Sequence, residues 1–407
     1  MLKTRLNNYL NIDSSVLTLI KSQFFLQLIS ASFFLILNIY LSKCDFSDSD
    51  IADLISYRFL AVILFSYPLG YFISYRKLKP FFLISSTLLP IVAILLVLMI
   101  KFSCYEYLKI LFFSWGILFT VFQISVLPFI MRYSSEENQT YAISLSFATH
   151  SIAMLISGLL IFFSTYIFSF NEGDVLILIS IISLLSVFYS LKIKESRSSV
   201  DNINVKRNYN WSLILQCVLP TLIIAIGAGL TIPFINLFFF HNFYIDSSEF
   251  ALIGGFTSLL VAFSSLVVPF VKNKFGFQKS IINTQLIAVV ALIALSTTAY
   301  FNDYTFVLYF AIFFYVMRAP LMNMAAPLTS ELTMMYVGEK NQEMLSALVA
   351  AIWSGSWYFS SQIFKLLIDA DYNYSEIFYI TAVLYLIGIL FYYFLIRRFN
   401  SHNINLS

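Results

Sequence analysis

The sequence predicts an all-α membrane protein: twelve transmembrane helices in two pseudo-symmetric six-helix bundles. Three observations predict it. The first is composition: 60% of the 407 residues are hydrophobic and 11% are charged, whereas a soluble domain carries about 25% charged residues. The second is run length. The apolar stretches continue for ~20 residues, enough for a helix to cross ~30 Å of hydrocarbon. In lipid, helices and closed barrels are the two ways a backbone satisfies its own hydrogen bonds, and a barrel would show alternating segments of ~10 residues instead. The third is the polar stretch at 192–210, which carries five Lys/Arg close to the middle of the chain. It divides an N-terminal bundle, 1–191, from a C-terminal bundle with a short tail, 211–407, and is expected to be a cytoplasmic linker between them.

Taken in order, the runs before the linker lie near 16–41, 51–75, 80–100, 108–131, 141–163 and 174–191. Those after it lie near 211–240, 249–271, 280–301, 305–330, 343–368 and 376–396. No small-residue cleavage site follows the first run, so it reads as a retained helix. The loops are too short for a soluble domain. With the N-terminus inside, eighteen Lys/Arg fall on inner segments and three, Lys43, Lys101 and Lys109, on outer loops. Acidic residues such as Asp45, Asp48, Asp50, Asp53, Glu172 and Asp174 favour the outer side. Positive charge is retained on the cytoplasmic face, so both termini are expected there, in a multi-pass protein of the inner membrane. Cys44, Cys104 and Cys217 have neither metal-ligand spacing nor a disulfide pattern.

The halves repeat. Asn38 in LILNIYLS matches Asn236 in PFINLFFF at an offset of 198, and Asp48-Ser49 matches Asp246-Ser247 at the same offset. Pro128 matches Pro327 at 199, and Glu136-x-Asn138-Gln139 matches Glu339-x-Asn341-Gln342 at 203. Each half has an even number of helices, so the copies share an orientation and are related by an axis along the membrane normal. The major facilitator superfamily is built on that arrangement, and the chain resembles that superfamily along almost its whole length. The loop after the second run strengthens the resemblance. Gly70-Tyr-Phe-Ile-Ser74-Tyr75-Arg76-Lys77-Leu78-Lys79 and, in the second half, Pro269-Phe-Val-Lys-Asn273-Lys274-Phe-Gly276-Phe-Gln-Lys279 are similar to the family's Gly-x-x-x-Asp-Arg-x-Gly pattern. The resemblance implies that Gly70, Arg76, Lys77, Asn273, Lys274 and Gly276 belong to a cytoplasmic gate. Ser74 and Asn273 stand where the family has Asp, so this gate needs another stabilising partner. It also implies alternating access, with the first, fourth, seventh and tenth helices lining a cavity. The Gly-Pro pattern of many drug/proton antiporters is absent from the fifth run, where Ser157-Gly158 remains.

Polar groups inside a membrane are costly and mark function. Arg318 lies about thirteen residues into the run at 305–330. A guanidinium there can grip a carboxylate or phosphate, or be satisfied by carbonyls freed near Pro320 or by a neighbouring helix. Arg58 reads as snorkelling toward the surface or pairing with an outer Asp. In the fifth run Ser146, His150, Ala153 and Ser157 share one face, and His150 titrates near neutral pH. It is a candidate for proton coupling or substrate contact, against a bond between helices. Gln23, Gln27, Ser30, Phe34 and Asn38 share one face of the first run, expected to look into the cavity. Gln123, Asn236 and Trp353 complete the substrate-binding candidates. Gly227, Gly229, Pro320 and Pro327 mark where lining helices can bend.

No Asp or Glu occupies the middle third of any run. Coupling must therefore use His150, a carboxylate nearer a helix end such as Glu331, or the substrate itself. The expected function is a secondary transporter of a small, anionic or amphipathic molecule, acting as a monomer in the bilayer, with protons as a candidate co-substrate and no cofactor, metal or nucleic-acid partner. A multidrug-type exporter of the same fold is the alternative. An intramembrane lipid-modifying enzyme would need an acid/base or nucleophile constellation. Of His150, His241 and His402 only the first lies deep, no carboxylate accompanies it, and no catalytic residue is assigned.

Overall fold

The computed structural model describes residues 12–73, 76–134, 136–195, 209–338 and 341–404. Ser74, Glu339 and residues 196–208 of the linker lie outside the described residues. Every regular element among the described residues is helical. Ten helices among them are long and apolar enough to span a membrane, and two more, of 26 and 28 residues, lie between these at Asp48–Ile73 and Gln342–Asp369.

In chain order the helices are α1 (Ser14–Lys43), α2 (Asp48–Ile73), α3 (Lys79–Lys101), α4 (Leu108–Tyr133), α5 (Glu136–Phe162) and α6 (Glu172–Lys192). After the linker comes α7 (Trp211–Phe243). A 52-residue helical run, Ser247–Thr298, follows and breaks at Gly276; the parts before and after the break are α8 and α9. The last three are α10 (Thr305–Val337), α11 (Gln342–Asp369) and α12 (Tyr374–Ile404).

The interruptions have local causes. Gly276 has φ 75° and ψ 168°, which an L side chain rarely adopts, so glycine sets the corner between α8 and α9. In α7 the α-helix gives way to a 3-10 turn at Ile232–Phe234, built on Pro233. Gly227 and Gly229, expected as bending points, instead make room for neighbours. A Cβ on Gly227 would come within 3.1 Å of the Tyr385 ring, and one on Gly229 within 2.6 Å of Ser360. The helix α10 runs unbroken through Pro320 and Pro327. Within α1, Phe33–Leu37 forms a π-helical turn just before Asn38, a widening often found at functional sites.

The chain forms two compact units. The first holds 1–47, 57–203 and 246–255; the second holds 48–56, 204–245 and 256–407. Each therefore includes a short segment from the other half of the sequence.

Apolar side chains gain little by leaving lipid for protein, so helix contacts depend on close approach and polar bonds. In the first unit, Ser22 Oγ meets Ser190 Oγ at 2.8 Å and donates to Ser186 O, joining α1 to α6. Ser186 Oγ donates in turn to Ser86 O of α3. In the second unit, Ser296 of α9 and Ser375 of α12 each donate to the other's carbonyl, at 2.7 and 2.9 Å. Thr231 bonds Thr381, and Thr221 bonds Tyr392, both at 2.9 Å between α7 and α12.

Gly158 marks a close interhelical approach of α5. A Cβ there would lie 2.5 Å from the backbone oxygen of Ala251, whereas one on Gly255 would meet its nearest atom at 3.5 Å. Overpacking a close contact costs about 1–3 kcal/mol. Gly158→Val is expected to lower the melting temperature of the detergent-purified protein by roughly 3–10 °C. Gly255→Ala should leave it nearly unchanged; equal melting of both variants would show that α5 and this segment do not pack so closely.

Candidate functional site

Two polar stripes, one on α1 and one on α5, close on each other inside the first unit. Ser146 Oγ donates to Gln23 Oε1 at 2.7 Å. His150 Nδ1 lies 3.4 Å from Gln27 Oε1. Both pairs are separated by 123 residues, and a constant separation means that the helices run parallel. Further along the same pair of helices, Ser157 Oγ donates to Leu28 O. Gln23, Gln27 and Asn38 are buried, and the amides at 23 and 27 are engaged with α5. His150 is nevertheless exposed on one side.

Arg58 differs from its expected setting. Because α2 starts at Asp48 rather than 51, Arg58 lies ten residues into a helix of 26. At ~1.5 Å per residue that is about 15 Å from the helix start. Its guanidinium lies 4.1 Å from the Trp115 ring centroid and 5.4 Å from that of Phe119. The acidic residues at the start of α2 have partners of their own in the second unit. Asp48 bonds His241 at 3.1 Å and accepts from the Tyr374 hydroxyl. Asp53 pairs with Lys365 at 3.5 Å and accepts from Gln362.

In the second unit, Arg318 is 4% exposed. Its Nη2 donates to the Tyr385 hydroxyl at 3.1 Å, and its Nε–H is buried with no acceptor. Tyr315, one turn earlier on α10, is also buried and packs edge-on against Phe239 of α7. Carbonyls freed by Pro320 do not satisfy Arg318. Tyr385 is a partner that sequence reasoning missed, because one phenol in the apolar stretch AVLYLIG carries no pattern. Asn236 is buried, its Oδ1 accepting from Leu237 N at 2.9 Å. Gln123 is exposed, and Trp353 is 36% exposed.

At the expected gate, Glu195 supplies a carboxylate. Its two oxygens accept from Leu78 N at 2.7 Å and Lys79 N at 2.9 Å, the N-terminus of α3. A negative charge there also suits the helix dipole. Arg76 is exposed over the Phe72 ring at 3.7 Å, and its carbonyl accepts from Arg132. Lys77 and Lys274 are exposed. Gly70 lies within α2, Asn273 precedes the break at Gly276, and Lys272 of α8 pairs with Glu331 of α10. Glu195 was missed because it sits in the polar linker, where sequence offers no reason to single out one carboxylate. Among the described residues no group of three His, Cys, Asp or Glu could hold a metal ion.

Comparison with known proteins agrees with this architecture. No curated protein sequence matches the chain. Among solved structures it is similar to a bacterial homologue of the human lysosomal transporter Spinster, in an inward-facing and occupied conformation. That match has a TM-score of 0.73 and 15% identity over 94% of this chain and 96% of that one. It is also similar to a bacterial homologue of the iron transporter ferroportin, with a TM-score of 0.74 and 14% identity over 94% and 98%. The nucleoside transporter NupG gives 0.70 and 13% over 93% and 99%. At these identities the likeness establishes the fold. The profile of the Major Facilitator Superfamily matches residues 20–361, most of the chain and both units, and the chain belongs to that superfamily.

Proposed function

We propose that this chain, a secondary transporter by family, moves a small organic anion across the inner membrane by alternating access, with Arg318 gripping its carboxylate or phosphate. The observation that carries this is the state of Arg318. A buried guanidinium with one phenol as partner and an Nε–H without an acceptor is under-satisfied. Leaving a buried charge uncompensated costs several kcal/mol, and a transported anion would relieve that cost while it is bound. Tyr385 and Tyr315 would orient the fork. Gln27, Asn38, Gln123, Asn236 and Trp353 are the further substrate-contact candidates, His150 the proton-coupling one. Glu331, one of the carboxylates nearer a helix end, is paired with Lys272, which favours His150 over it. The chain would work as a monomer, its two six-helix bundles, 1–191 and 211–407, joined by a cytoplasmic linker. Gly70, Arg76, Lys77, Asn273, Lys274 and Gly276 would form the cytoplasmic gate, with Glu195 in place of the family's missing Asp.

The test is transport by the purified protein in proteoliposomes, over a panel of small carboxylates, phosphate esters and their neutral analogues, with and without a proton gradient. Arg318→Gln is expected to insert normally and lose flux. A charge-assisted hydrogen bond is worth about 1.5–3 kcal/mol, so substrate binding should weaken by roughly 10- to 100-fold. Wild-type flux in that variant would refute the anion site. His150→Gln should flatten the pH profile of flux, and an unchanged profile would move coupling to the substrate itself. For topology, a cysteine placed in 197–205 should resist membrane-impermeant maleimide in intact cells, whereas one placed in 45–50 should react. Labelling of both from outside would overturn the sidedness.

A further inference from the structure

A second arginine within a helix also lacks a counter-ion. Arg58 makes no ion pair or hydrogen bond to an acceptor among the described residues, and its contacts there are the rings of Phe59, Trp115 and Phe119. Of the carboxylates on its own helix, Asp48 and Asp53 are engaged by His241, Tyr374, Gln362 and Lys365, and Asp50 has a partner of its own. An aromatic ring stabilises the cation without accepting its N–H bonds. The guanidinium donors therefore keep the capacity to meet the two oxygens of a carboxylate or phosphate.

Two neighbouring features point the same way. Arg58 is half-buried rather than sealed. The Trp115 indole N–H is buried with no acceptor, on a side chain only 3% exposed. It is a second unsatisfied donor on the ring that carries the guanidinium. Arginine and indole N–H both belong to the first unit, and both favour an acceptor-rich guest.

We propose that Arg58, backed by the Trp115 ring, forms a binding site for a small oxyanion, a carboxylate or phosphate group, within the first unit. This site is separate from Arg318 and does not depend on Arg318 binding cargo. The oxyanion comes from the head of an organic solute or from inorganic phosphate in solution. The N–H donors of Arg58 receive its oxygens, and the Trp115 ring backs the guanidinium.

Trp115 provides a local readout. The full-length chain has four tryptophans. With Trp211, Trp353 and Trp357 changed to Phe, emission reports on the Arg58 stacking alone. Acetate, inorganic phosphate and neutral acetamide would be titrated into this protein in detergent. The expected result is a saturable emission change with acetate or phosphate at millimolar concentration and none with acetamide. Phosphate acting alone assigns an inorganic guest, and acetate acting assigns a carboxylate head. Arg58→Gln should weaken the response at least 10-fold. Arg58→Lys keeps the charge but not the fork, and should retain binding weakened by several-fold. That variant remains informative if Arg58→Gln fails to fold. Acetamide acting as well as acetate, an Arg58→Lys response equal to wild type, or no saturable response to either anion would overturn the site. Loss of flux in Arg318→Gln with the Trp115 response intact would separate the two proposals.

Discussion

In hydrocarbon a polar group has no solvent to fall back on, and the rest of this structure follows from that. Backbone donors are satisfied within helices. Side-chain hydroxyls bond back to a carbonyl one turn earlier, as Thr120, Ser125 and Ser180 do, or join neighbouring helices, as Ser22, Ser186, Ser296 and Ser375 do. The two amides of α1 at 23 and 27 find α5. A few buried groups, among them Ser30 Oγ, Ser85 Oγ and Gln285 Oε1, have no partner. The costlier cases are charged: two guanidiniums within helices, Arg58 and Arg318, lack a carboxylate partner among the described residues, one in each unit.

Their settings are chemically alike although their positions do not correspond in the repeat. Each lies against an aromatic partner, Trp115 or Tyr385, which tolerates a cation without neutralising it. A carboxylate in either place would form a permanent ion pair and fill the fork. An aromatic ring stabilises the charge by about 0.5–2 kcal/mol and leaves the donors available.

Helix number, order and approximate limits are legible in the sequence from run length, because only a continuous apolar helix suits lipid. The stripes on α1 and α5 are visible as faces with i, i+4, i+7 spacing. Which way they look is not: periodicity identifies a face, and the neighbour it meets is a tertiary fact. Pairing by a constant separation of 123 residues appears only in three dimensions. Asp48 and Asp50 look like loop in the sequence. They form the acidic first turn of α2 instead, where negative charge is favoured. Gly227 and Gly229 suggest hinges by their flexibility, although lack of volume is what α7 uses there.

The segment expected to form a gate shows how a motif can lose a residue while a helix end keeps a carboxylate partner. The family pattern places an Asp where this chain has Ser74, and that Asp belongs to a charge contact at the cytoplasmic face. Here the carboxylate of Glu195 reaches the first amides of α3 from the far end of the same unit. It accepts two N–H bonds that a helix N-terminus otherwise leaves unsatisfied, and it ties the end of α6 to the start of α3. Lys79, whose amide Glu195 caps, donates its Nζ to Leu191 O in the same corner. The join therefore depends on a charge meeting a helix end, whichever segment supplies the charge. A carboxylate carried on the linker has a further consequence: it couples the linker's first residues to the fold of the unit they leave.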